Sequence, residues 1–117
     1  MGSPRGADGW HVVPLEYQVQ IGAVHACLAV SGELDLATSA DLVSQIRCLI
    51  EPGRRIAVDI GGVTFIDASG VAACLAVQQQ ADAIGCAVAF AQPRGLVARV
   101  LELLDVEDEL LGWMNQS

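Results

Sequence analysis

Aromatic side chains are scarce in this chain: they make up 4% of its 117 residues, against 53% for all hydrophobic types together. A core must therefore be assembled from Ala, Val, Leu and Ile, which suits an α/β sandwich of thin helices on a β-sheet. Basic residues are scarce too, six against fourteen acidic ones, giving a formal charge of −8. That balance argues against nucleic acid and against an anionic membrane surface as partners and favours a basic protein surface. No run approaches the roughly 18 consecutive apolar residues of a membrane span. The first residues also lack the charged and apolar regions of a signal peptide, so the expected location is the cytoplasm.

Several chemistries lack their signatures. Cys27, Cys48, Cys74 and Cys86 are widely spaced with no C-x-x-C pair, so neither a zinc site nor a thioredoxin-like motif is suggested. They read as reduced core residues, free Cys behaving as a small hydrophobe; a disulfide-based redox sensor is the alternative. A hydrolase nucleophile elbow needs a glycine two positions before its serine, but Asp67 stands there before Ser69. The two histidines, His11 beside the N-terminal stretch and His25 at a strand start, offer no obvious base for that serine. Gly61-Gly62 lacks the Lys-Ser/Thr of a phosphate loop and reads as a tight turn after a strand. Asp35, Asp59 and Asp67 lie singly at strand ends and turns, where Asp is ordinary, so a metal cluster is not expected.

What is present is an alternation of strands and helices. Residues 1–14 read as a flexible tail, 15–113 as one domain, and 114–117 as a C-terminal tail; the length suffices for a single core. Leu15, Tyr17, Val19 and Ile21 alternate with polar residues as the apolar face of a half-buried strand. After Gly22, the more uniformly apolar stretch from Val24 to Val30 completes a hairpin. A helix starts near Thr38, whose spacing to Asp41 suggests a capping box, and places Leu42, Ile46, Leu49 and Ile50 on one face. Pro52-Gly53 ends it. Arg54 to Ile60 is a third strand, Ser69 to Ile84 a second helix with Gly85 at its C-cap, and Cys86 to Ala91 a fourth strand. Such an order implies parallel pairing with right-handed crossovers. Pro93 can open a last helix carrying Leu96, Val97, Val100, Leu101 and Leu104, and Glu107 to Trp113 reads as a packed terminal turn.

Ser69 is the residue that most needs a role. It falls at the junction of a buried strand and a helix, where unpaired N–H groups and the positive dipole end suit a side-chain oxygen or a phosphate. Asp67 and Ser69 are both good N-caps, so a purely structural cap is one reading.

The motif Gly32-Glu33-Leu34-Asp35 and the later segment Asp59-Ile60-x-x-Val63-x-Phe65-Ile66-Asp67-x-Ser69-Gly70 suggest another. With the late pattern Val97-x-x-Val100-Leu101-Glu102-Leu103, they resemble, in order from about Leu15 to Leu111, the STAS-domain family of bacterial anti-sigma factor antagonists. The resemblance implies the STAS fold, a small mixed β-sheet of an N-terminal hairpin and parallel β-α-β units covered by helices.

It also implies a partner switch with no enzyme activity of the chain's own. The unphosphorylated form would bind a serine-kinase anti-sigma factor of the GHKL type and free its sigma factor. The kinase, supplying ATP and Mg²⁺, would phosphorylate Ser69 and end the interaction; a phosphatase would reset it. No cofactor of the chain itself is expected. By the same resemblance Asp35, Asp67, Ser69 and Gly70 face the partner, with Thr64 and Ile66 as further contacts; a turn-forming role fits Asp35 equally well. Ala68 departs from the frequent family pattern of a second serine before the modified one. A constitutive STAS scaffold or accessory subunit, in a stress-signalling assembly or a lipid-transport complex, is the competing function.

Overall fold

A computed structural model describes residues 13–115, which form four strands, four α-helices and a closing 3-10 turn. The expected N-terminal tail lies outside the described residues up to position 12, as do His11 and the end of the C-terminal tail. Strands β1 (Glu16–Ile21), β2 (His25–Leu34), β3 (Arg55–Ile66) and β4 (Ala87–Ala91) make one sheet in the order β1-β2-β3-β4. β1 pairs antiparallel with β2, while β2, β3 and β4 run parallel, as the alternating elements require.

Burial follows strand parity. Ala26, Leu28 and Val30 of β2 and Ile56, Val58 and Ile60 of β3 are buried, while Cys27, Ala29, Ala57 and Asp59 on the other face are only half-buried. Helix α1 (Ser39–Arg47) contributes Leu42 and Ile46 to the core, and α2 (Ala68–Ala83) contributes Val71, Cys74, Val77 and Ala81. β4 is buried at four successive positions, Val88 to Ala91, so both of its faces are covered. Helices α3 (Gly95–Leu103) and α4 (Glu107–Leu111) lie against β3 and β4 and insert Val97, Leu101 and Leu110. Phe90 is the one aromatic ring among the fully buried large side chains, the rest of that core being aliphatic.

Four features depart from the sequence reading. The apolar face expected for β1 is buried only at its start: Leu15 is covered and Tyr17 half-covered, but Val19 and Ile21 are 51% and 61% exposed. β1 is an edge strand, and an alternating pattern records which side a residue faces rather than whether anything covers that side. β2 and β3 run further than expected, to Leu34 and Ile66, straight through Gly32 and Gly61-Gly62. Those glycines are not a turn. A Cβ on Gly62 would stand 2.9 Å from the Val30 carbonyl oxygen and 2.6 Å from Ser31 Oγ, so glycine admits the close approach of two strands where their register shifts.

The capping box at Thr38 is absent, since its Oγ1 instead donates to the Glu33 carbonyl at 2.8 Å and accepts from the Asp35 N–H. Asp41 accepts the Tyr17 hydroxyl at 2.6 Å, tying α1 to β1. The 3-10 turn Gly112–Asn115 carries the fold to Asn115, beyond the expected domain end at 113. Its Trp113 donates from Nε1 to the Ile56 carbonyl and lies over the Arg55 guanidinium, so the terminal turn is packed.

Candidate functional site at the start of helix α2

The extended parallel strands deliver the site. Glu33 pairs with Phe65 and Leu34 with Ile66, so β2 and β3 end side by side and release two loops at one end of the sheet. From β2 the chain enters the turn at Asp35, whose Oδ1 accepts the N–H groups of Ala37 and Thr38. From β3 it passes directly into α2. Asp67 is the N-cap: it is extended, with ψ −177°, and its Oδ1 accepts the Gly70 N–H at 2.9 Å. Ser69 is therefore not the cap but sits within the first turn.

The same carboxylate oxygen also accepts the Ser69 hydroxyl at 2.6 Å. This short bond holds the Asp67 carboxyl below the usual carboxylate range, with further help from the Gly70 N–H and smaller help from the N–H groups of Ser69 and Leu36. Asp67 is accordingly ionised at neutral pH. The Asp67 N–H donates to the Leu34 carbonyl, closing the junction between the strand ends.

The six expected site residues thus gather at one end of the sheet but differ in access. Thr64 is exposed; Asp35, Asp67 and Ser69 are half-buried. Ile66 and Gly70, expected to face a partner, are buried. Ile66 is 3% exposed because the alternation of β3 is broken where its register with β2 shifts, after Ile60 and again after Val63, and the second shift turns Ile66 into the core and leaves Phe65 outward. Gly70 packs so tightly on β2 that a Cβ there would come within 2.7 Å of the Leu34 carbonyl oxygen. The apolar contacts available to a partner are instead Phe65, 38% exposed, and Leu36, 78% exposed. Leu36 sits inside the Asp35 turn, where a large exposed hydrophobe was a signal that sequence reading passed over.

No group of three or more metal-ligating side chains occurs among the described residues, and Asp59 is held apart at Gly61, whose N–H its Oδ1 accepts. The four cysteines are free: Cys74 and Cys86 are buried, Cys27 half-buried and Cys48 exposed. Among the described residues no helix is long and apolar enough to cross a membrane.

The family model described as "Mlab, STAS domain" matches residues 17–112. The chain belongs to the STAS domain family. Solved structures give the same fold. The anti-sigma factor antagonist SpoIIAA in its unphosphorylated form is 19% identical, with TM-score 0.65, covering 79% of this chain and 83% of that chain. An anti-sigma factor antagonist from Mycobacterium paratuberculosis is 21% identical, with TM-score 0.64 and 82% of each chain covered. The murine anion transporter Slc26a9 matches over 84% of this chain but only 16% of its own, at 18% identity and TM-score 0.67. Among curated proteins, none matches the sequence. At these identities the likeness is one of fold, so the STAS domain here is shared by proteins of quite different activity.

Proposed function

We propose that this STAS domain is an anti-sigma factor antagonist whose binding is switched by phosphorylation of Ser69. The carrying observation is the Asp67–Ser69 pair: a half-buried hydroxyl, bonded at 2.6 Å to an ionised carboxylate, at the start of a helix and beside the Asp35 turn. The unphosphorylated end, with Asp35, Thr64, Leu36 and Phe65 around Ser69, binds a serine-kinase anti-sigma factor of the GHKL type. The kinase supplies ATP and Mg²⁺, the domain itself performs no catalysis, and a phosphatase restores the hydroxyl. Fold likeness to two anti-sigma factor antagonists supports this reading.

Local electrostatics supply the switch. Phosphorylation removes the proton that Ser69 donates to Asp67 and sets about two negative charges beside a carboxylate that is already charged. In the free domain solvent and the α2 N-terminus hold that charge. In a closed interface it is desolvated against Asp67 and Asp35, a cost of roughly a few kcal/mol. At about 1.4 kcal/mol per tenfold in affinity, that releases a partner without refolding the domain.

A second reading keeps the domain as a constitutive scaffold or accessory subunit. It is favoured by the fact that the Ser69 hydroxyl is already satisfied within the helix cap. Binding from native extract with wild-type, Ser69→Ala and Ser69→Glu baits separates the two. A serine-kinase anti-sigma factor retained by Ser69→Ala and lost with Ser69→Glu is expected. Equal recovery of one partner by both variants would assign Ser69 to the cap alone.

A further inference from the structure

The outer edge of β1 is unlike the rest of this acidic protein. Among the described residues no strand pairs with it. Its pairing with β2 runs from Glu16 to Ile21 with no register shift, so no bulge twists the edge away. It carries no proline or lysine, the usual guards of an edge, and from Tyr17 to Val24 there is no charged residue at all. Three large apolar side chains stand out on or beside it: Val19 is 51% exposed, Val24 57% and Ile21 61%.

From Tyr17 to Ile21 the sequence of that edge is also symmetric in residue kind about Val19. Gln18 and Gln20 flank it, Tyr17 and Ile21 stand one step further out, and Glu16 and Gly22 beyond them. A two-fold interface requires residue i to meet j while j meets i. Antiparallel pairing of β1 with a second copy, centred on Val19, satisfies this at every position. Val19 lies opposite Val19, Tyr17 opposite Ile21, Gln18 opposite Gln20 and Glu16 opposite Gly22, and no two like charges face each other. The apolar members share one face of the strand and the glutamines the other, so from Tyr17 to Ile21 each cross-strand pair joins side chains of one kind.

We propose that two copies of this chain associate through β1, extending the four-stranded sheet into a continuous eight-stranded one. Self-complementarity selects a second copy as the occupant rather than an unrelated extended peptide, since a foreign strand has no reason to match a pattern symmetric about Val19. The neutrality of the edge lets two chains of charge −8 approach there with the least repulsion. The surface is separate from the Ser69 end. Val19 pairs with Leu28, six positions before Leu34 along β2, which places it roughly 20 Å from that end at the usual strand rise. Antiparallel docking then points the two Ser69 ends in opposite directions, so a dimer offers two independent binding ends.

Sedimentation velocity of the full chain, from micromolar to near-millimolar concentration, tests this. Wild type is expected to move with concentration to twice the monomer mass. Val19→Lys sets two ammonium groups opposite each other at the axis and should weaken association at least tenfold, as should Val19→Glu. An equimolar mixture of the two variants should recover the dimer, because Lys then meets Glu. Circular dichroism checks that each variant is folded, which the exposure of Val19 leads one to expect. A monomer at every concentration overturns the proposal, as does a dimer indifferent to Val19→Lys. Failure of the folded Lys and Glu variants to recover the dimer on mixing also overturns it. Binding of the kinase partner is read separately and stays unchanged in Val19→Lys, so loss of one result leaves the other standing.

Discussion

Replacing Asp67 by alanine tests the physical basis of the site most directly. The substitution removes the acceptor for the Gly70 N–H at 2.9 Å and for the Ser69 hydroxyl at 2.6 Å. Loss of an Asp N-cap costs about 1 kcal/mol of stability, and loss of a negative charge at a helix start adds a few tenths at a solvent-exposed position. For a chain of 117 residues, unfolding entropy of about 2.1 cal/mol/K per residue converts 1 kcal/mol into a drop of about 4 °C in Tm. Asp67→Asn keeps an oxygen able to cap and is expected to recover most of that loss.

The pH dependence has a definite sign. The folded carboxyl titrates below its unfolded value of about 3.9. Its stabilisation is therefore complete above that value and is lost as pH falls through the lower folded pKa. Thermal melts of wild type and Asp67→Ala, followed by circular dichroism, should differ at neutral pH and converge in strong acid. An Asp67→Ala protein melting within about 1 °C of wild type at neutral pH refutes the assigned cap. A gap that widens on acidification refutes the assigned charge.

Three further outcomes are expected. Gly70→Ala forces a Cβ to within 2.7 Å of the Leu34 carbonyl oxygen, so despite a helix-propensity gain of about 1 kcal/mol it should be destabilising by about 1–2 kcal/mol in urea titrations. Tyr17, the single tyrosine, is pushed well above the ordinary phenol range by burial and by its bond to the Asp41 side chain. Its ultraviolet absorbance should therefore show no phenolate near pH 10 until the protein unfolds, and Asp41→Asn should bring ionisation to lower pH. Burial pushes the Cys74 thiol up to about 12, so timed alkylation read by mass spectrometry should label exposed Cys48 first and leave Cys74 unmodified in the folded protein. Rapid labelling of Cys74 would show that α2 opens locally.

Local rules were enough for most of the framework. Apolar spacing from Val71 to Val77 made α2 legible, and the glycine after it, Gly85, has the positive φ of 79° that a helix terminus needs. Parallel pairing of β2, β3 and β4 followed from strands separated by helices, and the cap chemistry of Asp67 and Ser69 was visible as residue types beside a helix start. Helical period, the terminal glycine and the cap residue types at Asp67 are set within a few residues of chain, and there sequence sufficed; the capping box expected at Thr38 and the turn expected at Gly61-Gly62 did not form, because contacts with other segments took those groups.

The tertiary structure decided what lies over each residue. Gly61-Gly62 has the composition of a turn, yet the backbone of Val30 and Ser31 packs against it and holds it extended, which carries β3 on to Ile66. That extension buries Ile66, exposes Phe65, and brings Asp35 and Asp67 together at one end of the sheet. Tyr17, Val19 and Ile21 share a face and a pattern, but only Tyr17 has α1 beside it, so one strand begins as core and ends as open edge. Sequence determined the elements and their local alternation; contact between distant segments determined where that alternation shifts and which side chains meet solvent, and so where a partner can bind.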